Sequence, residues 1–195
     1  MLWLPILTLF ACDAPQAPES PIVRASTPEI LPKGVVNTTY SLSFANAARN
    51  RVSVRVESST GCGEWWMATW IPGSYVIREF ARNVEGVRAI GPAGALPVRK
   101  VSKNQWRVDC DGEGPVVLQY EVASNELTVR TSYVDTLGAV LNPPAWALVP
   151  SGDDGPFAVV VDAEWPDVNT PLPNVDGAYL AADVDTLMDS PMLLG

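Results

Sequence analysis

The side chains that most often carry out chemistry in proteins are scarce in this sequence. It has three cysteines and no histidine among 195 residues. Without an imidazole, the chain cannot build an HExxH zinc site, a Ser-His-Asp triad or a Cys-His dyad. Three cysteines are also too few for a structural zinc site, which uses four ligands at CxxC-like spacing. We therefore expect no catalytic residue, no metal and no other cofactor in this chain alone.

The first cysteine, Cys12, directly follows an apolar run over residues 1–11. The run is too short to span a membrane as a helix, which needs about 20 residues, so it is interpreted as a signal sequence. Its end, Leu-Phe-Ala-Cys, resembles a bacterial lipobox. We predict a lipoprotein-type signal peptide over residues 1–11, acylation of Cys12 and contact with a lipid bilayer through that lipid. A buried apolar strand or a wrongly assigned start is the alternative.

The predicted lipid anchor places the protein in the bacterial cell envelope, on the periplasmic side or at the cell surface. Residues 12–34 carry five prolines and few large apolar residues, which is typical of an extended tether. With Cys12 acylated, Cys62 and Cys110 remain as an even pair in an oxidising compartment. The sequence leaves open whether these two form a disulfide or stay as two separate buried thiols.

The charge balance restricts the choice of partners. The chain has 22 acidic and 13 basic residues, for a formal net charge of -9. A protein with this negative net charge repels the phosphate backbone of nucleic acids, so we expect no nucleic-acid partner. At 47% hydrophobic residues the chain can also bury a sizeable core.

Alternating apolar residues predict the fold. Tyr40, Leu42 and Phe44 alternate with polar residues, as do the valines between 52 and 56, which predicts a first hairpin. A second hairpin is predicted over residues 116–133. Further strands are expected at 87–90, 96–101, 105–108, 145–149 and 157–163. About nine to ten short strands favour an all-β fold, an antiparallel two-sheet β-sandwich that begins near residue 35.

Four segments carry a family resemblance. Residues 70–83 read WIPGSYVIREFARN, and residues 100–106, 126–135 and 183–191 follow as KVSKNQW, ELTVRTSYVD and DVDTLMDSP. They resemble the amino-terminal domain of glycyl aminopeptidases, metallopeptidase family sixty-one. The resemblance implies a β-sandwich domain over residues 35–195. It also implies a following thermolysin-like domain, whose zinc is held by an HExxH helix and a downstream glutamate.

The resemblance, together with the missing histidine, implies a role in a peptidase system without catalysis by this chain. The zinc domain is expected where this sequence ends, so we expect a non-catalytic domain that docks on a zinc peptidase domain, or on a separate peptidase chain, and shapes its substrate entrance. The family enzymes remove amino-terminal glycine or alanine. The alternative is a stand-alone lipid-anchored β-sandwich that binds peptides or envelope proteins.

Seven residues are candidates for the inter-domain or substrate-cleft surface. Pro72-Gly73 fits the centre of a type II turn, which would project the following residues. We expect the surrounding segment to build a corner of the sandwich, and the alternative is that it lines a shared cleft. Trp70 and Trp106 are expected in the core. The candidate surface residues are Trp65, Trp66, Tyr75, Arg78, Glu79, Arg130 and Tyr133.

Overall fold

A computed structural model describes residues 36–110 and 114–195. The predicted signal peptide, Cys12 and the predicted tether lie outside the described residues. Regular structure in the described part is mostly strand, which confirms an all-β fold. Its strands are β1 Thr38–Ser43, β2 Arg51–Ser58, β3 Gly63–Trp66, β4 Val84–Gly91, β5 Gly94–Leu96, β6 Val98–Lys100, β7 Gln105–Val108, β8 Val116–Ala123, β9 Tyr133–Val134, β10 Ala139–Leu141, β11 Val149–Pro150, β12 Phe157–Asp162, β13 Val168–Asn169, β14 Asn174–Val175, β15 Ala178–Ala181 and β16 Met192–Leu194.

Short helical elements lie between the strands. The α-helix α1 spans Val184–Met188, and its N-cap Asp183 accepts a hydrogen bond of 2.7 Å from the Thr186 backbone. Such a cap satisfies one of the free backbone N–H groups at a helix start. Short 3-10 helices span Ala47–Arg49, Phe80–Asn83 and Pro143–Ala145.

The strands form one large and two small sheets. The large sheet has eight strands in the order β14-β15-β12-β1-β2-β8-β4-β5. The small sheets have the orders β13-β16-β10-β9 and β11-β3-β7-β6. The antiparallel prediction holds for the described strand pairs except β1 and β12, which run parallel. The layer facing the large sheet is therefore divided between two sheets, and the strands are shorter and more numerous than the sequence predicts.

One apolar core joins the three sheets. The large sheet contributes its inward side chains, such as Leu42, Val54 and Leu118, and the small sheets contribute Trp106 and Met192 among others. Alternation in β1 and β2 matches the prediction, because every second side chain is buried and their neighbours are half-buried or exposed. The outer face of the large sheet is mostly polar, with Ser41, Ser53 and Glu121 among its residues, and Val160 is an exposed apolar residue on it.

Two predicted strands differ from the structure at or next to prolines. The strand predicted at residues 96–101 divides at Pro97, so that β5 pairs in the large sheet and β6 in a small one. Proline has no N–H for a ladder, which explains the change of sheet. The strand predicted at 145–149 is mostly wrong, because Pro143–Ala145 is a 3-10 helix and β11 begins only at Val149.

Candidate functional site

The first of the four segments that carry the resemblance, residues 70–83, begins with a turn and an irregular stretch, and we call residues 69–79 loop 69–79. The Ser74 N–H donates to the Ile71 carbonyl at 3.1 Å, and Gly73 has a φ of 77°. This is the predicted type II turn, in which the third residue needs a positive φ. Ile71 precedes Pro72, whose ring disfavours helical backbone at that position. The local sequence therefore sets the direction in which the loop leaves the sandwich.

Ser74 holds loop 69–79 together. Its hydroxyl donates to the Val76 carbonyl at 2.9 Å and accepts from Arg78 Nε at 3.2 Å. Its carbonyl accepts from Trp70 Nε1 at 2.8 Å. Ser74 is buried, whereas the next residue, Tyr75, is fully exposed. The loop is thus held by internal hydrogen bonds and presents its apolar side chains to solvent.

A second loop, residues 125–132, lies beside the first. The sequence predicts a strand here, and that prediction is wrong for most of the segment. The Thr131 hydroxyl donates to the Glu126 carbonyl at 2.6 Å and lies 2.7 Å from the Thr128 hydroxyl. Side-chain hydroxyls that bond local backbone compete with strand ladders, and here they close a turn. Arg130 Nη2 then donates to the Gly73 carbonyl at 3.1 Å, which joins the two loops.

The joined loops expose an apolar surface, which we call the two-loop platform. It holds six of the twelve large apolar side chains that the described residues expose. Sequence reasoning identified only Tyr75 among them and placed Trp70 in the core, which is wrong because that side chain is 52% exposed. A run of adjacent apolar residues without alternation is the signal that would have identified Val76 and Ile77. The platform comprises Trp70, Tyr75, Val76, Ile77, Leu127 and Val129.

Charged residues border the platform. The Lys103 ammonium donates to Glu79 at 2.5 Å, which lowers the pKa of that carboxyl and raises the pKa of the lysine. Arg82 pairs with Glu126 at 3.4 Å and connects the end of one loop to the other. Both pairs are exposed, so each contributes little to stability. Their position beside the platform makes them available to a partner.

Tyr133 lies at the base of loop 125–132. It occupies the edge strand β9, where it forms a bridge with Asn125. Its hydroxyl donates to Asp135 at 3.0 Å, and this hydrogen bond raises the pKa of the tyrosine. The pKa of Asp135 is lowered, chiefly because the Leu137 backbone N–H donates to it. Tyr133 therefore contacts the start of loop 125–132 through its bridge with Asn125.

The tryptophan pair does not belong to this surface. Trp65 is fully buried and donates from Nε1 to the Gly61 carbonyl at 2.7 Å, so its inclusion among the surface candidates is wrong. Strand geometry explains the outcome, because adjacent residues of β3 point to opposite faces and Trp65 points inward. Trp66 is half-buried and packs against the core. Trp106 is buried, as the sequence predicts.

A small cavity flanks the platform. It measures about 170 Å³ and lies between the turn at Pro72 and the segment that enters β16. A volume of this order accommodates one apolar side chain of a partner. Its apolar lining is Ile71, Pro72, Pro144, Met188 and Pro191, joined by Asn142 and Asp189.

The residues present do not fit a zinc ion. The sequence has no histidine, and the described residues bring together no group of three His, Cys, Asp or Glu side chains that could hold a metal.

The structure joins Cys62 and Cys110 in a disulfide, with Cα atoms 5.8 Å apart. Within residues 36–110 and 114–195, no helix combines the length and apolar character needed to cross a bilayer.

Comparison with solved structures gives the following matches. The crystal structure of the aminopeptidase N family protein from Idiomarina loihiensis matches with a TM-score of 0.75 and 28% identity. The match covers 81% of this chain and 29% of that protein, so this chain spans less than a third of its relative. The structure of Legionella pneumophila aminopeptidase A in complex with aspartic acid gives a TM-score of 0.46 at 9% identity, over 83% of this chain and 21% of that one.

Sequence comparison gives the family. No curated relative matches the chain. The family model described as the Peptidase M61 N-terminal domain matches residues 39–195, which is most of the sequence and includes both loops of the platform. This match confirms the resemblance carried by the four segments, all of which lie within it. The chain therefore belongs to the Peptidase M61 N-terminal domain family.

Proposed function

We propose that this domain docks on a zinc peptidase domain through the two-loop platform and helps to shape the substrate entrance, without catalysing a reaction itself. The observation that carries the proposal is the apolar character of the platform. Exposed apolar patches are unfavourable in water, and in soluble proteins they mark surfaces that a partner covers. Trp70 and Tyr75 are exposed, and tryptophan and tyrosine are enriched among the interface residues that contribute most of the binding free energy.

The arrangement of the loops supports docking over a merely irregular surface. Ser74, Arg78 and Arg130 bond both loops in one arrangement before any partner arrives. Preorganisation reduces the entropy lost on binding, because fewer side chains and backbone angles must be ordered. The apolar side chains are therefore presented in a form suited to a specific contact.

The family membership supports a peptidase as the partner. The matched relative from Idiomarina loihiensis is an aminopeptidase N family protein, and this chain aligns with less than a third of it. By analogy, the zinc-bearing domain corresponds to another part of that relative. Zinc, an HExxH motif and the removal of amino-terminal glycine or alanine belong in this proposal to the partner domain. The proposal holds whether the partner domain lies on the same polypeptide or on another one.

The proposal includes a place in the cell. We expect acylated Cys12 to hold the domain at a bacterial membrane, with residues 12–34 as the tether. The support is the apolar run that ends in Leu-Phe-Ala-Cys. Metabolic labelling with a clickable fatty acid tests it, with Cys12→Ala as the control variant. Labelling that survives this substitution would contradict the anchor.

Site-specific photocrosslinking tests the docking role. A benzophenone amino acid replaces Val129 of the platform in cells of the source organism, and irradiation follows. We expect an adduct, identified by mass spectrometry, with a polypeptide region that carries an HExxH motif. The matched control places the same group at Val160, an exposed apolar position on the outer face of the large sheet. No such adduct from Val129, or an equal yield from Val160, would refute the proposed docking face.

A further inference from the structure

The platform carries information about the surface that covers it. Building on the proposed docking role, we infer that the partner presents an acidic border around an apolar centre. The inference rests on the distribution of charge around the two loops. Basic side chains are concentrated there, although the protein as a whole is strongly acidic.

Five of the thirteen basic residues of the chain border the platform. Arg78 and Arg130 hydrogen-bond within the loops, and Arg82 lies beside Val76 and Ile77 in a shallow groove. The other two come from the β6–β7 hairpin. Lys103 reaches Glu79, and Lys100 donates to the Ala81 carbonyl at 3.2 Å.

Nearby carboxylates compensate these cations only in part. Glu79 and Glu126 are each paired with one cation of the border, and Asp189 lies on the cavity side of Pro72. Five cations against three carboxylates leave a local formal surplus of two positive charges (5 − 3). The side chains of Arg82 and Lys103 also remain accessible, because they are 64% and 84% exposed.

The rest of the molecule has the opposite charge. No lysine or arginine follows Arg130 in the sequence, whereas ten Asp and Glu residues do. The platform is thus a positive region on a protein of net charge -9. Charges at the rim of an interface set the orientation and rate of encounter with a partner of opposite sign. An acidic border on the partner is the complement that these cations select.

A lipid surface is the other candidate for an apolar patch with basic neighbours. The net charge argues against it, because an extended anionic headgroup surface faces the whole protein, whose net charge of -9 it repels. A protein surface can instead place its carboxylates within reach of Arg82 and Lys103 alone. We therefore assign the platform to an acidic protein surface.

Photocrosslinking from Tyr75 in the full chain, in cells, tests this chemistry. The fully exposed Tyr75 is replaced by a benzophenone amino acid, and the adducted segment is sequenced. We expect that segment to have more Asp and Glu than Lys and Arg. Arg82→Glu combined with Lys103→Glu should lower the adduct yield roughly tenfold, because the two most accessible cations of the border are reversed in charge.

The matched control reverses two arginines away from the platform. Arg51 and Arg55 lie on the outer face of the large sheet, and each is paired with a glutamate, as Arg82 and Lys103 are. Arg51→Glu with Arg55→Glu makes the same change in net charge and should leave the yield within about twofold, because rim effects are local. An unchanged thermal midpoint in both double variants shows that they fold.

The outcomes separate this inference from the proposed function. Two results would overturn the acidic border and leave docking intact. One is an adduct with an HExxH-bearing polypeptide in which the crosslinked segment is basic. The other is an adduct yield that both double variants change equally. Absence of any such adduct overturns both. An adduct with phospholipid assigns the platform to the membrane and overturns both as well.

Discussion

Arg130 Nη2 donates a hydrogen bond of 3.1 Å to the carbonyl oxygen of Gly73, across 57 residues of sequence. Gly73 occupies the position of the type II turn that requires a positive φ, so the turn fixes the direction of its carbonyl. The contact of Arg130 therefore depends on the backbone conformation of the turn and not on a side chain of the loop. It couples the conformation of loop 69–79 to that of loop 125–132, and with it the shape of the platform.

Replacing Arg130 with alanine should loosen the platform without unfolding the domain. The lost hydrogen bond is exposed, so the free energy of unfolding should change by about 1 kcal/mol or less. Amide hydrogen exchange of residues 70–77 should nevertheless accelerate, because the turn loses its tie to the second loop. The control is Arg49→Ala, an exposed arginine in the first 3-10 helix with the same change in charge. Equal exchange in the two variants would contradict the coupling.

Two aromatic residues from the same candidate list should behave in opposite ways. Trp65→Ala should destabilise the domain by roughly 3–5 kcal/mol, because it leaves a large cavity in the core. Tyr75→Ala should change stability by less than about 0.5 kcal/mol, since that ring has no cover to lose. Only Tyr75→Ala should reduce crosslinking from Val129 while the protein stays folded. Chemical denaturation, followed by tryptophan fluorescence, measures the first two effects, and a stable Trp65 variant would refute the assignment.

The sequence predicted the elements whose pattern is local. Strands β1 and β2 follow from simple alternation, and the turn at Pro72 follows from the φ preferences of proline and glycine. Alternation also says that Trp65 and Trp66 face opposite ways. It does not say which of them faces inward, because that depends on which side the large sheet covers. That is a tertiary property.

The platform escaped prediction for a related reason. Leu127 and Val129 alternate with threonine and arginine as in a strand, but hydroxyl bonds from Thr128 and Thr131 close a turn instead. The contact of Arg130 with Gly73 joins distant segments and leaves no local signal in one sequence. Exposed apolar residues in particular resemble core residues, because only the fold decides which of them are covered.

The disulfide between Cys62 and Cys110 should contribute substantially to stability. It closes a loop with a sequence separation of 48, which in the chain-entropy model stabilises the fold by about 4 kcal/mol. Cys62→Ser with Cys110→Ser should lower the thermal midpoint by roughly 10 °C for a domain of this size. Reductant should produce a similar loss in the unsubstituted protein and no further loss in the double variant. An insensitive midpoint would show that the bridge is absent or without effect.

Alkaline pH should destabilise the core through two buried tyrosines. Burial is the main cause that raises the pKa of both Tyr40 and Tyr120, because the phenolate would lose its hydration. Their hydroxyls donate to the buried carbonyls of Leu148 and Trp146, at 3.0 Å and 2.8 Å. In the unfolded chain, tyrosine loses its proton near pH 10, as model peptides do.

The sign follows from linkage. The folded pKa values lie above the unfolded one, so the tyrosines' contribution is complete below about pH 10 and is lost as pH rises through the folded pKa values. Each group adds up to about 1.4 kcal/mol per pH unit to the decline in unfolding free energy over that range. Tyr40→Phe with Tyr120→Phe should flatten this decline, although it lowers stability at neutral pH by leaving buried backbone groups unpaired. Tyr75→Phe, which removes an exposed hydroxyl, should keep the steepness of the unsubstituted protein, and urea unfolding between pH 8 and 11 measures all three. Equal slopes in the three proteins would exclude Tyr40 and Tyr120 as the cause, because the double variant lacks both of their hydroxyls.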